Sequence, residues 1–357
     1  MYFPIALLKP QRAPSASSRE RKKRYTARFF RRGGAKGRQA FLEMNQSLKH
    51  VFFLQVIFNE PAQIRPWTFS VFFFTYIVTV TVNLMLILLI ILRNQLHKPV
   101  YIFLAYLLFM DIICSTNVLP RLMYSIIVNN ETWIGHCFIQ AFFISFYAGM
   151  ETYILGIMAI DRYLAVCHPL RYGVLITNSK AHIVMWAKLC WCFITRSVQP
   201  LLLLRLTFCK DELPNVGCVF IAIAKLSCDD ITVNSMYGIA LSSIMLCYII
   251  TVVIVTYGFI LYTCLCSSKD PEGRNKALHT CLTHWLVLCF FLFSVLFNIF
   301  SQRLSAGKSF SHVFKHLSDS FFYLLQPLAI PIVYGLRTAE IRQGVIMLPR
   351  MFLKIKK

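Results

Sequence analysis

Charged residues, and acidic residues above all, are scarce in this sequence. Only 15% of its 357 residues are charged, 15 Asp and Glu stand against 37 Lys and Arg, and 57% of the chain is hydrophobic. Soluble domains carry about 25% charged residues, so this composition excludes an ordinary cytosolic enzyme, a disordered chain and a small disulfide-stabilised scaffold. The sequence also lacks an internal repeat and a long polar insertion between its apolar segments. A membrane protein is the class that this composition favours.

Seven apolar runs are long enough to cross a bilayer as helices, since about 20 apolar residues span roughly 30 Å of hydrocarbon. Short connections between them predict antiparallel neighbours in one bundle. The predicted spans are Trp67–Leu92, Tyr101–Ile127, Cys137–Ile160, Ile183–Leu204, Val233–Tyr262, Ala277–Ser301 and Leu317–Leu336. We therefore predict an all-α seven-transmembrane-helix bundle over residues 67–336.

The positive charge predicts the orientation of the bundle. With the N-terminus outside, the inner segments carry fourteen Lys and Arg and the outer segments ten, a bias typical of multispanning membrane proteins, so nucleic acid is not the expected partner. Residues 1–43 would add twelve basic residues to the outer side and reverse the bias. We predict that translation starts at Met44 and that residues 1–43 are a disordered or artefactual extension; an organelle transit peptide is the alternative.

This orientation also predicts on which side of the membrane the two tails and the loop cysteines lie. Residues 44–66 are predicted to form an extracellular tail, glycosylated at Asn45 in the sequon Asn45-Gln46-Ser47, and residues 337–357 a cytoplasmic tail. Four cysteines fall in the predicted outer segments, and an even number in an oxidising space predicts two disulfides. Three pairings are possible, and spacing does not choose among Cys137, Cys209, Cys218 and Cys228.

Two carboxylates, Asp111 and Glu151, lie about halfway along the second and third predicted spans. An ionisable group inside the bilayer is costly unless it is paired or hydrated, so each is a candidate functional residue. Together they predict either a shared proton or a bound cation such as Na⁺ with oxygen ligands. The alternative is a single protonated carboxyl that its neighbours satisfy.

The tripeptide Asp161-Arg162-Tyr163 follows directly after the third predicted span. An acid beside an arginine at a helix end holds the guanidinium in a local ion pair, and a helix rearrangement can release that guanidinium to a partner. The position after the third of seven spans, more than the tripeptide itself, makes these residues candidates for a functional site.

Longer strings resemble the olfactory receptors, a branch of the rhodopsin-like G-protein-coupled receptors. The resemblance covers roughly Asn45 to Lys354, with its motifs in the same order. The strings that carry it are Leu96–Tyr101 in the first inner loop, Met158–Tyr172 around Asp161, Lys276–His284 at the start of the sixth span, and Pro327–Tyr334 with Gly335–Arg337 and Glu340–Arg342 at the seventh span and a short amphipathic C-terminal helix.

The resemblance implies a multi-pass receptor of the plasma membrane with an extracellular N-terminus, not an enzyme, and with no cofactor. Its expected partners are a small-molecule odorant, membrane lipids and the stimulatory olfactory heterotrimeric G protein, which raises cyclic AMP. Arg162 matches the arginine that meets the G protein, and Tyr257 matches the fifth-helix tyrosine that supports it. Asp111 and Glu151 match the family's buried acidic pair near a sodium site.

The resemblance also implies a ligand pocket and two disulfides. The implied disulfides are Cys137–Cys218 and Cys209–Cys228. Odorants are expected between the outer halves of helices three, five and six, although an apolar residue at helical spacing more often packs in a core than lines a pocket. The implied lining is Ile144, Ser145, Ala148, Gly149, Ser242, Met245, Val295 and Ile299.

Three residues depart from the family's pattern. Ile330 stands where the family usually has asparagine in its Asn-Pro motif, Leu292 where a tyrosine is usual, and Arg196 lies deep in the fourth span. They predict altered basal activity or impaired folding. They are also compatible with a gene that has lost its function. Two other functions stay open: a non-olfactory receptor of the same fold, and a proton- or ion-coupled transporter, which the lack of paired repeats disfavours.

Overall fold

The computed structural model describes residues 53–56, 65–127, 131–210, 212–213, 217–267, 271–304 and 321–355. The predicted start at Met44 and the predicted glycosylation site Asn45 lie outside these residues. The described chain is almost entirely helical. Its main helices are α1 (Arg65–Leu92), α2 (Pro99–Ile127), α3 (Ile134–Cys167), α4 (Asn178–Leu204), α5 (Thr232–Tyr262), α6 (Pro271–Leu304), α7 (Gln326–Arg337) and α8 (Ala339–Ile355).

Each of the seven predicted spans is matched by one of these helices. Among the described residues, α1, α2, α3, α5 and α6 are long and apolar enough to cross a bilayer. The fourth span corresponds to α4, which is less apolar because it contains Lys188 and Arg196. The seventh corresponds to α7 and the π-helical turn Phe321–Leu325 that precedes it.

The helices differ from the predicted spans mainly at their ends. The predicted limits follow the apolar residues, whereas α3 and α6 continue beyond them because backbone hydrogen bonds do not require an apolar environment. Pro271 begins α6, where its missing N–H costs nothing. Before α4, the hydroxyl of Thr177 accepts a hydrogen bond of 3.3 Å from the amide of Lys180, which satisfies a free donor of the first turn.

The core of the bundle is built around α3. In the most apolar stretch of α3, 78% of the residues are buried, compared with 28% in α1. Tyr147, Met150 and Phe291 are among its largest buried side chains. By contrast, α1 and α5 leave large apolar side chains such as Phe74 and Ile244 exposed. An exposed apolar surface on long helices is expected when lipid is the solvent.

The C-terminal helix α8 packs against α1. Ile341 is completely buried, and a Cβ atom added at Gly344 would lie 2.9 Å from Cδ2 of Leu89. The glycine therefore permits a close contact between the two helices. The predicted short amphipathic C-terminal helix is present, with its apolar side turned toward the bundle.

A small sheet lies outside the helices and was not expected from the sequence. Its central strand β1 (Phe53–Val56) pairs antiparallel with β2 (Glu131–Trp133) and parallel with β3 (Glu212–Leu213). In the register, Leu54 is opposite Thr132. Three strands of two to four residues lie too far apart along the chain to be recognised from local sequence patterns.

Candidate functional site

A cavity of about 590 Å³ lies among α3, α4, α5 and α6. Val219, Phe220 and Ile221, from the loop between α4 and α5, also line it, as do Phe322 and Tyr323 from the turn before α7. Small-molecule sites typically have volumes of about 300–1,000 Å³ and a mostly apolar lining with a few polar groups. This cavity has the size and lining of such a site.

Seven of the eight residues expected in the pocket line this cavity. They are Ile144, Ser145, Ala148, Ser242, Met245, Val295 and Ile299. Gly149, the eighth, is not among the described residues that line the cavity: it is buried against α4, where an added Cβ would lie 2.8 Å from Sγ of Cys192. Gly149 lies next to Ala148 but points toward a neighbouring helix because successive residues of a helix point in different directions.

Four other polar residues of the cavity were not predicted to line it. Arg196 and Gln199, one helical turn apart on α4, line the cavity together with Asn234 of α5 and Asn298 of α6. The guanidinium Nη1 of Arg196 donates a hydrogen bond of 3.3 Å to the hydroxyl of Ser145. A charged residue inside an apolar run was visible in the sequence, but the face of α4 that it occupies was not.

At the other end of α3, Nη2 of Arg162 lies 3.2 Å from Oδ2 of Asp161. The hydroxyl of Tyr172 donates a 2.8 Å hydrogen bond to the other oxygen of the same carboxylate. Partial burial, followed by the charge of Asp161, raises the pKa of Tyr172 above its ordinary value, so this hydroxyl keeps its proton. The local ion pair predicted for this tripeptide is present, and Asp161 is completely buried.

Two tyrosines contact neighbouring residues at this end of the bundle. The hydroxyl of Tyr257, on α5, lies 2.8 Å from Nδ1 of His284, on α6. The hydroxyl of Tyr163 lies 3.1 Å from Nε2 of His168, and its ring packs against Phe259 of α5. These contacts connect α3, α5 and α6 at the end of the bundle opposite the cavity. The role of His284 was not predicted, since a histidine in an apolar run does not reveal its partner.

The two buried carboxylates face the same polar region. The hydroxyl of Tyr147 donates a hydrogen bond of 3.1 Å to Oδ1 of Asp111, and Glu151 lies beside Tyr147 and Gln326. Oδ2 of Asp111 and both carboxylate oxygens of Glu151 are buried without a hydrogen-bond partner. Such oxygens need a proton, a water molecule or a cation.

The donor set is compatible with a hard cation such as Na⁺, because unpaired carboxylate and hydroxyl oxygens are the ligands that hard cations prefer. The hydroxyl of Ser115, also buried without a partner, could supply a neutral oxygen. Within the described ranges, no cluster of three or more His, Cys, Asp or Glu is arranged to hold a metal ion. A cation here would rely on the two carboxylates and neutral oxygens.

Two disulfides join segments at the cavity end of the bundle. The bond between Cys137 and Cys218 connects the start of α3 to the loop that lines the cavity, with Cα atoms 5.1 Å apart. The bond between Cys209 and Cys228 closes a hairpin within that loop, with Cα atoms 5.8 Å apart. This is the pairing that the resemblance implied, and it selects one of the three connectivities left open by spacing.

The arrangement of the helices is that of the rhodopsin-like receptors. The chain superimposes on squid rhodopsin with a TM-score of 0.63 over 81% of each chain, at 14% sequence identity. This likeness confirms the predicted all-α membrane fold, a seven-transmembrane-helix bundle. At this identity it concerns the fold alone.

Sequence comparison then defines the family. The family model for olfactory receptors matches residues 72–354. Olfactory receptor 52N2 from Homo sapiens is 33% identical over 286 residues, which are 78% of this chain and 87% of the relative. Olfactory receptor 8G17 from Mus musculus is 32% identical over 300 residues, 84% of this chain and 96% of the relative. The chain belongs to the olfactory receptor family, and it is a multi-pass membrane receptor and not an enzyme.

Proposed function

We propose that this protein is an odorant receptor of the plasma membrane that binds a small molecule in the cavity and activates a stimulatory heterotrimeric G protein, raising cyclic AMP. The observation that carries the proposal is that α3 contributes to both sites. Thr152 lines the cavity, and Arg162 is ten residues further along, about 15 Å at the rise of an α-helix. A shift of α3 against α5 and α6 would therefore affect both ends.

The proposed mechanism is a population shift between two states of the bundle. In the inactive state Asp161 and Tyr172 hold Arg162 in place. An odorant that binds the cavity more tightly when the inner halves of α5 and α6 have moved outward favours that second state. The movement exposes Arg162 to the G protein, with Tyr257 supporting it. Ligand and G protein are then coupled reciprocally, because both bind the same state better.

The buried carboxylates would regulate this equilibrium. Asp111 and Glu151, with unpaired oxygens in the core, would hold Na⁺ or share a proton in the inactive state. A cation that binds one state only stabilises that state, and the stabilisation grows with the logarithm of the cation concentration once this exceeds the Kd. Ile330, buried where the family has a polar residue, leaves this region with one hydrogen-bonding group fewer.

The domain arrangement completes the proposal. Residues 67–336 would form the receptor domain, residues 44–66 an extracellular tail and residues 337–357 a cytoplasmic tail. The two disulfides support this orientation, since disulfides persist in oxidising compartments and both join segments at the cavity end of the bundle.

The test is a cyclic AMP assay in cells that contain the olfactory stimulatory G protein. Forms that begin at Met1 and at Met44 are expressed, their surface levels are measured, and pooled odorants are applied. We expect a ligand-dependent rise that Arg162→Ala abolishes at equal surface level. Arg93→Ala, which removes a positive charge from the inner end of α1 without touching Asp161, serves as the matched control and should preserve the response.

A second pair of variants tests the cavity. Val295→Trp would fill it, whereas Leu296→Trp adds the same side chain at the next position of α6, which does not line the cavity and is 45% exposed. We expect only the first variant to lose the response. Equal loss in both, or a response that survives Arg162→Ala, would contradict the proposal.

A further inference from the structure

The cavity contains one charged side chain, and it is buried. Among the described residues that line the cavity, Arg196 is the only ionisable one apart from Tyr323, and 6% of its surface is exposed. An arginine does not lose its proton in a protein. The receptor therefore carries a permanent positive charge inside a largely apolar chamber.

This charge has no counterion in the described part of the chain. Nη1 of Arg196 donates to the hydroxyl of Ser145, which itself donates a 2.6 Å hydrogen bond to Oε1 of Gln199. Both acceptors are neutral. Nε is buried without any hydrogen-bond partner, and the described residues that line the cavity include no Asp or Glu. A buried charge paired only with neutral groups is costly in an apolar environment.

The position of Arg196 depends on a specific contact with α3. A Cβ atom added at Gly149 would lie 3.0 Å from both Nε and Nη2 of the guanidinium. Because Gly149 has no side chain, it leaves the space through which Arg196, on α4, reaches the cavity. A glycine inside a helix is destabilising relative to alanine, and this close approach is a structural reason for having one here.

These observations bear on the chemistry of the ligand, and the inference drawn from them rests on the proposed function of the same cavity. We propose that Arg196 binds the carboxylate of small organic acids, and that the receptor selects such anions over neutral molecules of the same size. A guanidinium presents parallel N–H donors that match the two oxygens of a carboxylate. The apolar chain of the acid then packs against Ile144, Phe291 and Val295, which line the same cavity.

The selectivity follows from the missing counterion. A carboxylate offsets the buried charge, whereas an alcohol or an ester of the same length leaves that charge unpaired after it displaces water from the cavity. Sites with buried polar groups reject analogues that leave those groups without a partner. An inorganic anion such as chloride is the other source of negative charge, and the experiment distinguishes the two.

The experiment compares straight-chain carboxylic acids with their primary alcohols and methyl esters as agonists in the cyclic AMP assay. The variants are Arg196→Gln, Arg196→Lys and Gly149→Ala. The matched control is Lys210→Gln, which removes an exposed positive charge from the loop between α4 and α5 at a residue that does not line the cavity. Parallel measurements record the thermal stability of the purified full-length receptor with each compound, at low and at high chloride concentration in a buffer that contains no carboxylate.

We expect acids to activate the wild-type receptor at concentrations at least about tenfold lower than those of the alcohols, equivalent to about 1.4 kcal/mol. Arg196→Gln should lose this preference and reach the cell surface at a level equal to or above that of the wild type, because it removes an uncompensated buried charge. Arg196→Lys should retain part of the preference. Gly149→Ala, which displaces the guanidinium, should weaken it, and Lys210→Gln should leave it unchanged.

The outcomes separate this inference from the proposed function. Acids that stabilise the purified receptor through Arg196 without raising cyclic AMP would support the anion site and overturn the proposed signalling. Activation by alcohols and esters with no preference for acids would overturn the anion site and leave the signalling intact. An acid preference that survives Arg196→Gln, or that Lys210→Gln removes equally, would also overturn it. So would stabilisation of the purified receptor by chloride that abolishes the effect of the acids.

Discussion

The side-chain amide of Asn83, on α1, donates a hydrogen bond of 3.0 Å to the carbonyl oxygen of Pro327, on α7. In a regular helix this carbonyl would accept from the amide of the residue four positions later, which is Pro331 and has no N–H. Asn83 therefore replaces a backbone donor that the sequence removes. Asn83 and Pro327 are both buried, so bulk solvent does not reach this hydrogen bond.

This relationship predicts non-additive effects on stability. Asn83→Ala should lower the thermal stability of the purified receptor by about 1 kcal/mol, because a buried carbonyl loses its donor. Pro331→Ala restores a backbone N–H that can donate to the carbonyl oxygen of Pro327. Asn83→Ala should therefore lower the stability less in the Pro331→Ala variant than in the wild type. A double-mutant cycle measures the coupling, which we expect to exceed about 0.5 kcal/mol. Additive effects would show that the hydrogen bond contributes little.

The two disulfides should differ in their influence on ligand binding. Replacing Cys137 and Cys218 by serine should reduce surface expression and the odorant response together, because this bond fixes the loop segment that lines the cavity. A disulfide typically contributes about 2–4 kcal/mol to stability. Replacing Cys209 and Cys228 should reduce surface expression with a smaller change in ligand concentration dependence, since both residues are exposed and 19 residues apart. Concentration–response curves normalised to surface level test this difference.

The contact between Tyr172 and Asp161 should suppress activity without ligand. Tyr172→Phe removes one hydrogen bond from the carboxylate that holds Arg162, and a hydrogen bond to a charged group contributes about 1.5–3 kcal/mol. We expect a several-fold rise in cyclic AMP without odorant, and a larger rise for Asp161→Asn. Tyr124→Phe, at an exposed tyrosine of α2, is the matched control. Unchanged basal cyclic AMP in Tyr172→Phe at normal surface level would contradict this role.

The hairpin closed by Cys209 and Cys228 should be stable to mild acid. The hydroxyl and the amide of Thr207 donate hydrogen bonds to Oδ2 of Asp229 and hold the pKa of this carboxyl below its ordinary value of 3.8. A group whose pKa is lowered on folding stabilises the fold above its unfolded pKa and loses this effect as the pH falls through the folded value. The hairpin should therefore be unchanged between pH 7 and 5 and loosen below about pH 4.

Amide hydrogen exchange at Thr207 measures this transition. Asp229→Asn should increase the exchange at neutral pH, where the wild type is protected. Asp230→Asn is the matched control, because Asp230 accepts hydrogen bonds from the amide and hydroxyl of Thr232 instead. Loss of protection in the wild type near pH 6 would indicate that another group controls the hairpin.

Much of the fold could be predicted because it depends on local properties of the chain. An apolar run of sufficient length becomes a membrane helix whatever its neighbours are, and each of the seven runs has its helix. The Asp161–Arg162 pair is equally local, since the two residues are adjacent. The small sheet was missed because its strands lie far apart along the chain and have no pattern of their own.

The spans, the cysteines of the loop segments and the family motifs can all be read from neighbouring residues along the chain. Which side of each helix meets a cavity or another helix depends instead on the packing of the bundle. This packing directs Gly149 toward α4 instead of the cavity, and it turns Arg196, a charge deep in the fourth span, toward the cavity. It also joins Asn83 to Pro327 across 244 positions of the chain. The physical reason is that a helix of 3.6 residues per turn offers several faces, and packing between helices selects among them.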